Sequence, residues 1–161
     1  STATSSGSSV GGSDKVKQHS EIYGTLEILS VDDHAINHCV VENSVTSKGY
    51  KVTSCMSGSE AFELLETRGY LPDLILLDCM MPGMSGCEMC ERLRETYPCN
   101  TLPVIMVSAK NNEDDIVRGL AVGCNDYIRK PYGPNELNAR IDVQLRLKKL
   151  WLTEIGRQLK E

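Results

Sequence analysis

The sequence has no apolar run approaching the roughly 20 residues of a membrane-spanning helix. Its opening, STATSSGSSVGGSD, lacks the charged and apolar regions of a secretory signal. The chain therefore reads as soluble and cytoplasmic, within a parent protein that can still be attached to a membrane. A dense basic block is also missing. Asp and Glu number 22 against 17 Lys and Arg, for a net charge of -5, which argues against this segment binding nucleic acid or an anionic membrane surface. Acidic clusters that hold cations stay open. The 7 cysteines form an odd set at irregular spacings, several inside periodic apolar patterns, so reduced thiols are expected rather than a disulfide framework. No internal repeat stands out. The first residue is Ser rather than Met, which predicts a piece excised or processed from something longer.

A length of 161 residues suits one domain with a real core. Residues 1–24 are rich in Ser and Gly with few apolar anchors, the composition of a flexible linker. Residues 25–147 carry the folded domain, and 148–161 extend its last helix. Short apolar runs alternate with helical patterns: 26–31 then 35–47, 50–56 then 60–67, 74–77 then 86–97, 103–107 then 112–122, and 127–128 then 134 onward. Such alternation predicts an α/β, doubly wound, five-stranded parallel sheet with helices on both faces. Runs such as LILL and VIMV fit strands buried on both sides. Boundary residues agree: Ser57 with Glu60 reads as a capping box, Gly49, Gly69 and Gly123 sit where helices stop, and Asn111 or Asn112 can cap the fourth helix.

The last helical pattern, PNELNARIDVQLRLKKLWLTEIGRQLKE, far exceeds the typical length of about 11 to 12 residues. Leu137, Ile141 and Leu145 have core-facing spacing. Leu145, Leu152, Ile155 and Leu159 then form a short heptad-like seam with Lys148 as a polar interruption. Two readings stand: a frayed extension, in which Gly156 costs roughly 1 kcal/mol, or a helical linker that pairs with a second copy, which is preferred.

Residues 74–86 read LILLDCMMPGMSG and place Asp78 directly after four aliphatic residues. An ionised carboxylate there needs a partner. In open α/β sheets, sites form beyond the carboxyl ends of the strands, at a switch point that falls between strands 1 and 3 for the order 2-1-3-4-5. Strand 1 ends in Asp32-Asp33, strand 3 in Asp78, strand 4 in Ser108 and strand 5 in Lys130-Pro131. Three carboxylates at one edge call for a cation, and a hard oxygen site that keeps several waters suits Mg²⁺.

These motifs, VDD, LLDCMMPGMSG, VSA and DYIRKP, occur in an order that resembles the receiver domain of two-component response regulators, the CheY-like family, from residue 26 to about 150. The resemblance implies a flavodoxin-like sheet of order 2-1-3-4-5. It implies that Asp78 accepts a phosphoryl group, that Asp33 and Asp78 ligate Mg²⁺ with the backbone carbonyl of Met80, and that Asp32 holds a metal-bound water. Lys130 would pair with one phosphoryl oxygen and Ser108 with another. The Lys130–Pro131 bond would be cis, and Tyr127 would swing inward as Ser108 moves, with the fourth helix, fifth strand and fifth helix as the output surface. The other reading of Tyr127 is a core aromatic. The implied partners are a histidine kinase or histidine phosphotransfer domain and a downstream effector, separate or in the same chain. Apart from the resemblance, the Ser-rich leader and the long last helix suggest a cyclase-like output as one option, and the heptad-like seam suggests a homodimer through the C-terminal helix. Such a domain catalyses its own phosphorylation and dephosphorylation and can belong to a larger enzyme chain. Met80 and Lys110, two residues past Asp78 and Ser108, would influence access to the phosphoryl group.

Two alternatives come from other classes: a Mg²⁺ phosphatase acting through an aspartyl-phosphate, or a pseudo-receiver serving as a dimerisation module. A haloacid-dehalogenase-type phosphatase would carry a second Asp where this chain has Met80, and the full set of site residues argues against a degenerate receiver. Other constellations have plainer readings. His34 and His38, four apart without a third ligand, are expected to solvate the start of the first helix. Cys87 and Cys90 form a CxxC inside a predicted helix and are expected to be structural, as is Cys79. Glu113, Asp114 and Asp115 favour the first turn of the fourth helix through its dipole.

Overall fold

The aliphatic runs of the sequence become the central strands of one parallel sheet, and the charged, period-matched segments between them become its covering helices. The computed structural model describes residues 25–67, 69–109 and 112–161. The Ser-rich segment 1–24, Lys110 and Asn111 lie outside the described residues. In chain order the elements are β1 (Glu27–Val31), α1 (Ala35–Val45), β2 (Lys51–Cys55), α2 (Gly58–Thr67), β3 (Leu74–Asp78), α3 (Gly86–Thr96), β4 (Val104–Ser108), α4 (Glu113–Ala121), β5 (Asp126–Arg129) and α5 (Pro134–Gln158). The sheet order is β2-β1-β3-β4-β5, with every neighbouring pair parallel. This is the expected doubly wound architecture, and all five positions of β3 and of β4 are buried.

Two cores flank the sheet. Val41 and Val45 of α1 meet Leu137, Ile141 and Leu145 of α5 on one face. Phe62 and Leu65 of α2 and Met89 and Leu93 of α3 fill the other, with Ile116 of α4 at its margin. Register aligns the strands so that Val31 stands beside both Cys55 and Leu77, Asp78 beside Val107, and Ser108 beside Arg129. The polar residues that end the strands therefore share one edge.

Element ends depart from expectation where side chains compete with backbone. The first helix stops at Val45 rather than 47, because a 3₁₀ turn, Thr46–Lys48, follows it and closes on Gly49 at φ 73. The capping box expected at Ser57 is half formed. Ser57 Oγ accepts the Glu60 amide at 3.1 Å, but Glu60 Oε2 takes the Met56 amide instead of that of Ser57. A complete box forms at α3, where Ser85 and Glu88 exchange both bonds. Asn112 caps α4 through the Asp115 amide at 2.8 Å. The Arg94 guanidinium runs inward from α3 to donate to the carbonyls of Gly123, Tyr97 and Leu102 and to Asn125 Oδ1.

The fifth helix is continuous for 25 residues, through Gly156. Lys148 is not an interruption in a free seam. Its side chain is 16% exposed, and its ammonium donates to the Asp73 carbonyl at 3.1 Å, so it ties the helix to its own domain. Beyond it Leu150, Leu152 and Leu159 are exposed. Among the described residues no helix is long and apolar enough to cross a membrane.

Gly86 decides how closely α3 approaches the end of β3. A Cβ there would lie 2.4 Å from the Asp78 carbonyl oxygen and 2.7 Å from Cys79 Cα, both backbone atoms that cannot rotate away. Gly86→Ala is expected to lower the unfolding free energy by about 1–3 kcal/mol, as overpacking does, measured by urea denaturation. An unchanged midpoint would show that α3 can slide off β3 without cost.

Candidate functional site

At the carboxyl edge, the end of β1 presents Asp32 and Asp33, the end of β3 presents Asp78, and Lys130 follows β5. Strand alternation would bury these carboxylates outright if the strands continued, and they stay usable because the chain turns away directly after them. Asp32 and Asp78 side chains are only 8% and 6% exposed, Asp33 23%. Lys130 Nζ lies 3.0 Å from Asp32 Oδ2 and 3.7 Å from Asp78 Oδ1. The Lys130–Pro131 peptide is cis. A narrow cleft beside these groups is bounded by Ser30, Asn37, Val107 and Tyr132.

The two buried carboxylates have opposite electrostatics. Burial pushes the Asp32 carboxyl up, but the His34 amide, Lys130 and the Asn37 side chain outweigh it and hold the group below its ordinary range. Those bonds are 2.9 Å from His34 N to Oδ1, and 2.9 and 3.0 Å from Asn37 Nδ2 and Lys130 Nζ to Oδ2. At Asp78 burial wins. The Met80 amide, donating to Oδ1 at 3.2 Å, and Lys130 pull its carboxyl down, but burial and the charges of Asp32 and Asp33 hold it above the ordinary range. Tyr132 is pushed up to about 12 by burial and then by Asp32.

Oxygen atoms of Asp32, Asp33 and Asp78 and a ring nitrogen of His34 lie within 4.8 Å of one another. Three carboxylates facing one ammonium leave an excess of negative charge that a divalent cation would neutralise, and the oxygen-rich donor set fits a hard ion. Met80 follows on the turn after β3 with its side chain half exposed.

Ser108 is fully buried at the end of β4. Tyr127 is buried as well, its ring against Gly119 of α4, where a Cβ would sit 3.1 and 3.3 Å from ring carbons. Burial raises the phenol and hydrogen bonding with Ser108 lowers it, which places the hydroxyl against Ser108. The burial of the ring fits both readings of Tyr127, a core aromatic and an inward-facing ring.

The expectation for the histidine pair holds for His34, whose side chain is 65% exposed with Nδ1 3.0 Å from Asp33 Oδ1. It fails for His38, which is buried and bonded through both ring nitrogens, to Ser30 Oγ and to the Asp32 carbonyl. Sequence reasoning assigned His38 a solvent-facing place and did not single out Asn37; the available signal was their position in the first turns after Asp33. Cys87, Cys90 and Cys124 are buried, and burial pushes Cys124 up to about 12 and Cys90 upward, which favours the protonated thiol at those two positions.

A family model described as the response regulator receiver domain matches residues 28–142. Over 120 residues the chain is 40% identical to the phosphate regulon transcriptional regulatory protein PhoB of Rhizobium meliloti, covering 74% of this chain and 52% of that protein. The chain thus spans about half the length of the curated relatives it matches. Among solved structures, the CheY-like response regulator receiver domain protein of Methanospirillum hungatei JF-1 aligns at a TM-score of 0.70 with 26% identity, over 78% of this chain and 97% of that one. A probable two-component system response regulator/GGDEF domain protein aligns at 0.76 with 25% identity, over 85% of this chain and 56% of that one. With its strand order, its acidic edge and Lys130 already in place, the chain belongs to the response regulator receiver domains of two-component systems.

Proposed function

We propose that the domain accepts a phosphoryl group on Asp78 from a phosphohistidine of a histidine kinase or histidine phosphotransfer domain. The observation that carries this reading is the Asp78 carboxylate, buried at the end of β3, facing Lys130 at 3.7 Å within the acidic cluster. An Asp78 oxygen forms the bond to phosphorus as the phosphorus–nitrogen bond of the donor breaks and the imidazole leaves with the electron pair. Asp33, Asp78 and the Met80 carbonyl would hold Mg²⁺, with Asp32 reaching it through water. When bound, Mg²⁺ supplies neutralisation of charge on the phosphoryl oxygens. The donors already engaged by both Asp32 oxygens support its outer role.

Lys130 pairs with one phosphoryl oxygen by shifting from Asp32 toward Asp78, and the Ser108 hydroxyl bonds another. The modification adds about 1.5 to 2 negative charges at a buried edge. Ser108 and Tyr127 pass that change to the surface formed by α4, β5 and α5. Beyond that surface, the long α5 supports a link to an output domain. The probable two-component system response regulator/GGDEF domain protein aligns over 85% of this chain, against 78% for the Methanospirillum receiver. On this reading α5 continues as a helical linker toward a cyclase-like output, and its exposed leucines pair with a second copy.

Asp78→Asn is expected to keep the fold and lose phosphorylation, read by intact mass after incubation with acetyl phosphate and Mg²⁺; full labelling of the variant would sink the assignment. Stability against pH gives a second check. A folded-state carboxyl raised above its ordinary value of 3.8 contributes full stability below that value and loses it as pH rises through the folded-state value. Without Mg²⁺, the melting temperature of Asp78→Asn should therefore gain on the wild type as pH rises from about 3.8 toward neutrality. Parallel curves would show that burial does not burden Asp78. Truncation after Leu147 is expected to weaken self-association in sedimentation velocity, and equal association of both chains would remove the linker pairing.

A further inference from the structure

His38 carries a function that the site described so far has not used. It sits in the first turns of α1, 5% exposed, and joins two atoms of β1 and its end: Nδ1 lies 2.9 Å from Ser30 Oγ and Nε2 lies 2.8 Å from the Asp32 carbonyl oxygen. A carbonyl can only accept, so Nε2 carries the hydrogen, and in the neutral imidazole Nδ1 then accepts from the Ser30 hydroxyl. Ser30 is itself buried and held in register between Ser54 and Leu76. The ring is therefore anchored at one end in the sheet and points its donor at a chosen carbonyl.

That carbonyl belongs to the peptide plane joining Asp32 to Asp33, and a peptide plane rotates as a unit. On the near side of Asp32 the backbone is held by its amide, which donates to the Cys55 carbonyl at 3.1 Å. On the far side the carbonyl is held by His38, and the amide of the same plane is that of Asp33. The direction of that plane sets where Asp33 Cα, and with it the Asp33 carboxylate, projects. The Asp33 side chain has one partner, the exposed His34 ring with Nδ1 3.0 Å from Oδ1, against the amide, Asn and Lys donors that fix Asp32, so its aim depends more on its backbone than that of Asp32 does.

We infer that His38 is a positioning residue of the cation site, which, through the Asp32–Asp33 peptide, aims the Asp33 carboxylate at the divalent ion; this rests on the cation role proposed above. Outer groups that orient ligands typically alter metal affinity by about 10–100-fold when removed, and the Ser30–His38–carbonyl chain stands one step further out through backbone.

NMR of the whole chain during titration with MgCl₂ provides the test. In the wild type, long-range ¹⁵N correlations of the His38 ring should show hydrogen on Nε2 and none on Nδ1, and the Asp33 and Asp78 amides should shift with Mg²⁺. His38→Leu removes both bonds at similar volume and is expected to weaken Mg²⁺ binding by about tenfold. His38→Gln, whose side-chain N–H can reach the same carbonyl, should recover most of that loss, a rescue that filling space alone would not give. Ser30→Ala leaves the ring in place and should weaken binding less than His38→Leu. A folded His38→Leu with wild-type Mg²⁺ affinity overturns the inference. If that variant fails to fold, wild-type affinity in Ser30→Ala, or a wild-type His38 with its hydrogen on Nδ1, overturns it instead. A wild type whose amides ignore Mg²⁺ removes the cation site itself and the inference with it, an outcome distinct from the loss of His38's role alone.

Discussion

One ammonium group, Lys130 Nζ, stands between two carboxylates that the fold has taken out of water, and the carboxyl edge of the sheet is arranged around it. Asp32 and Asp78 end neighbouring strands, so parallel pairing brings them together whatever their charge. Without a cation their repulsion would act at low dielectric, where it is least screened. Lys130 reaches both from the far side of the sheet because β5 pairs with β4 and leads the chain back to the same edge. The sheet order is thus an electrostatic device as well as a packing solution.

The division of labour between the two carboxylates follows from unequal satisfaction. Asp32 receives an amide, an Asn amide and the lysine, and its charge is settled. Asp78 receives one backbone amide and the longer approach of the same lysine. Under the proposed phosphoacceptor role, a carboxylate with few donors would keep lone pairs free to attack, at the cost of a charge that burial disfavours. Reactivity and instability at Asp78 would then have the same origin.

Much of this was legible in the sequence because it depends on short-range rules. Buried strands declare themselves as LILL and VIMV, and the topological rule turns residues at strand ends into neighbours in space. Residues that break the periodic rule were not legible. The first helix buries His38 and Ser44 while exposing Ile36 and Val40, the reverse of what polarity predicts. Arg94 sits in the charged segment ERLRET and reads as solvent-facing, yet its acceptors come from two loops that only the fold brings within reach. Lys148 read as a flaw in a helical seam because its partner, Asp73, lies 75 residues away. In each case a polar side chain found its partner through tertiary contact, which periodicity cannot record.

The tie between Lys148 and Asp73 also has a mechanical meaning. It clamps α5 at the amino-terminal edge of the sheet, opposite the acidic cluster; the next turn still lines grooves with Leu26, Cys99 and Asn125, and the helix then runs on to Gln158. At about 1.5 Å of rise per residue, the ten-residue arm from Lys148 to Gln158 is about 15 Å long. A tilt of about 10° at the clamp would carry its tip sideways by about 2.6 Å and hardly along its axis. A small repacking of α5 against the sheet would thus leave the domain as a sideways swing of the arm rather than as a slide along it.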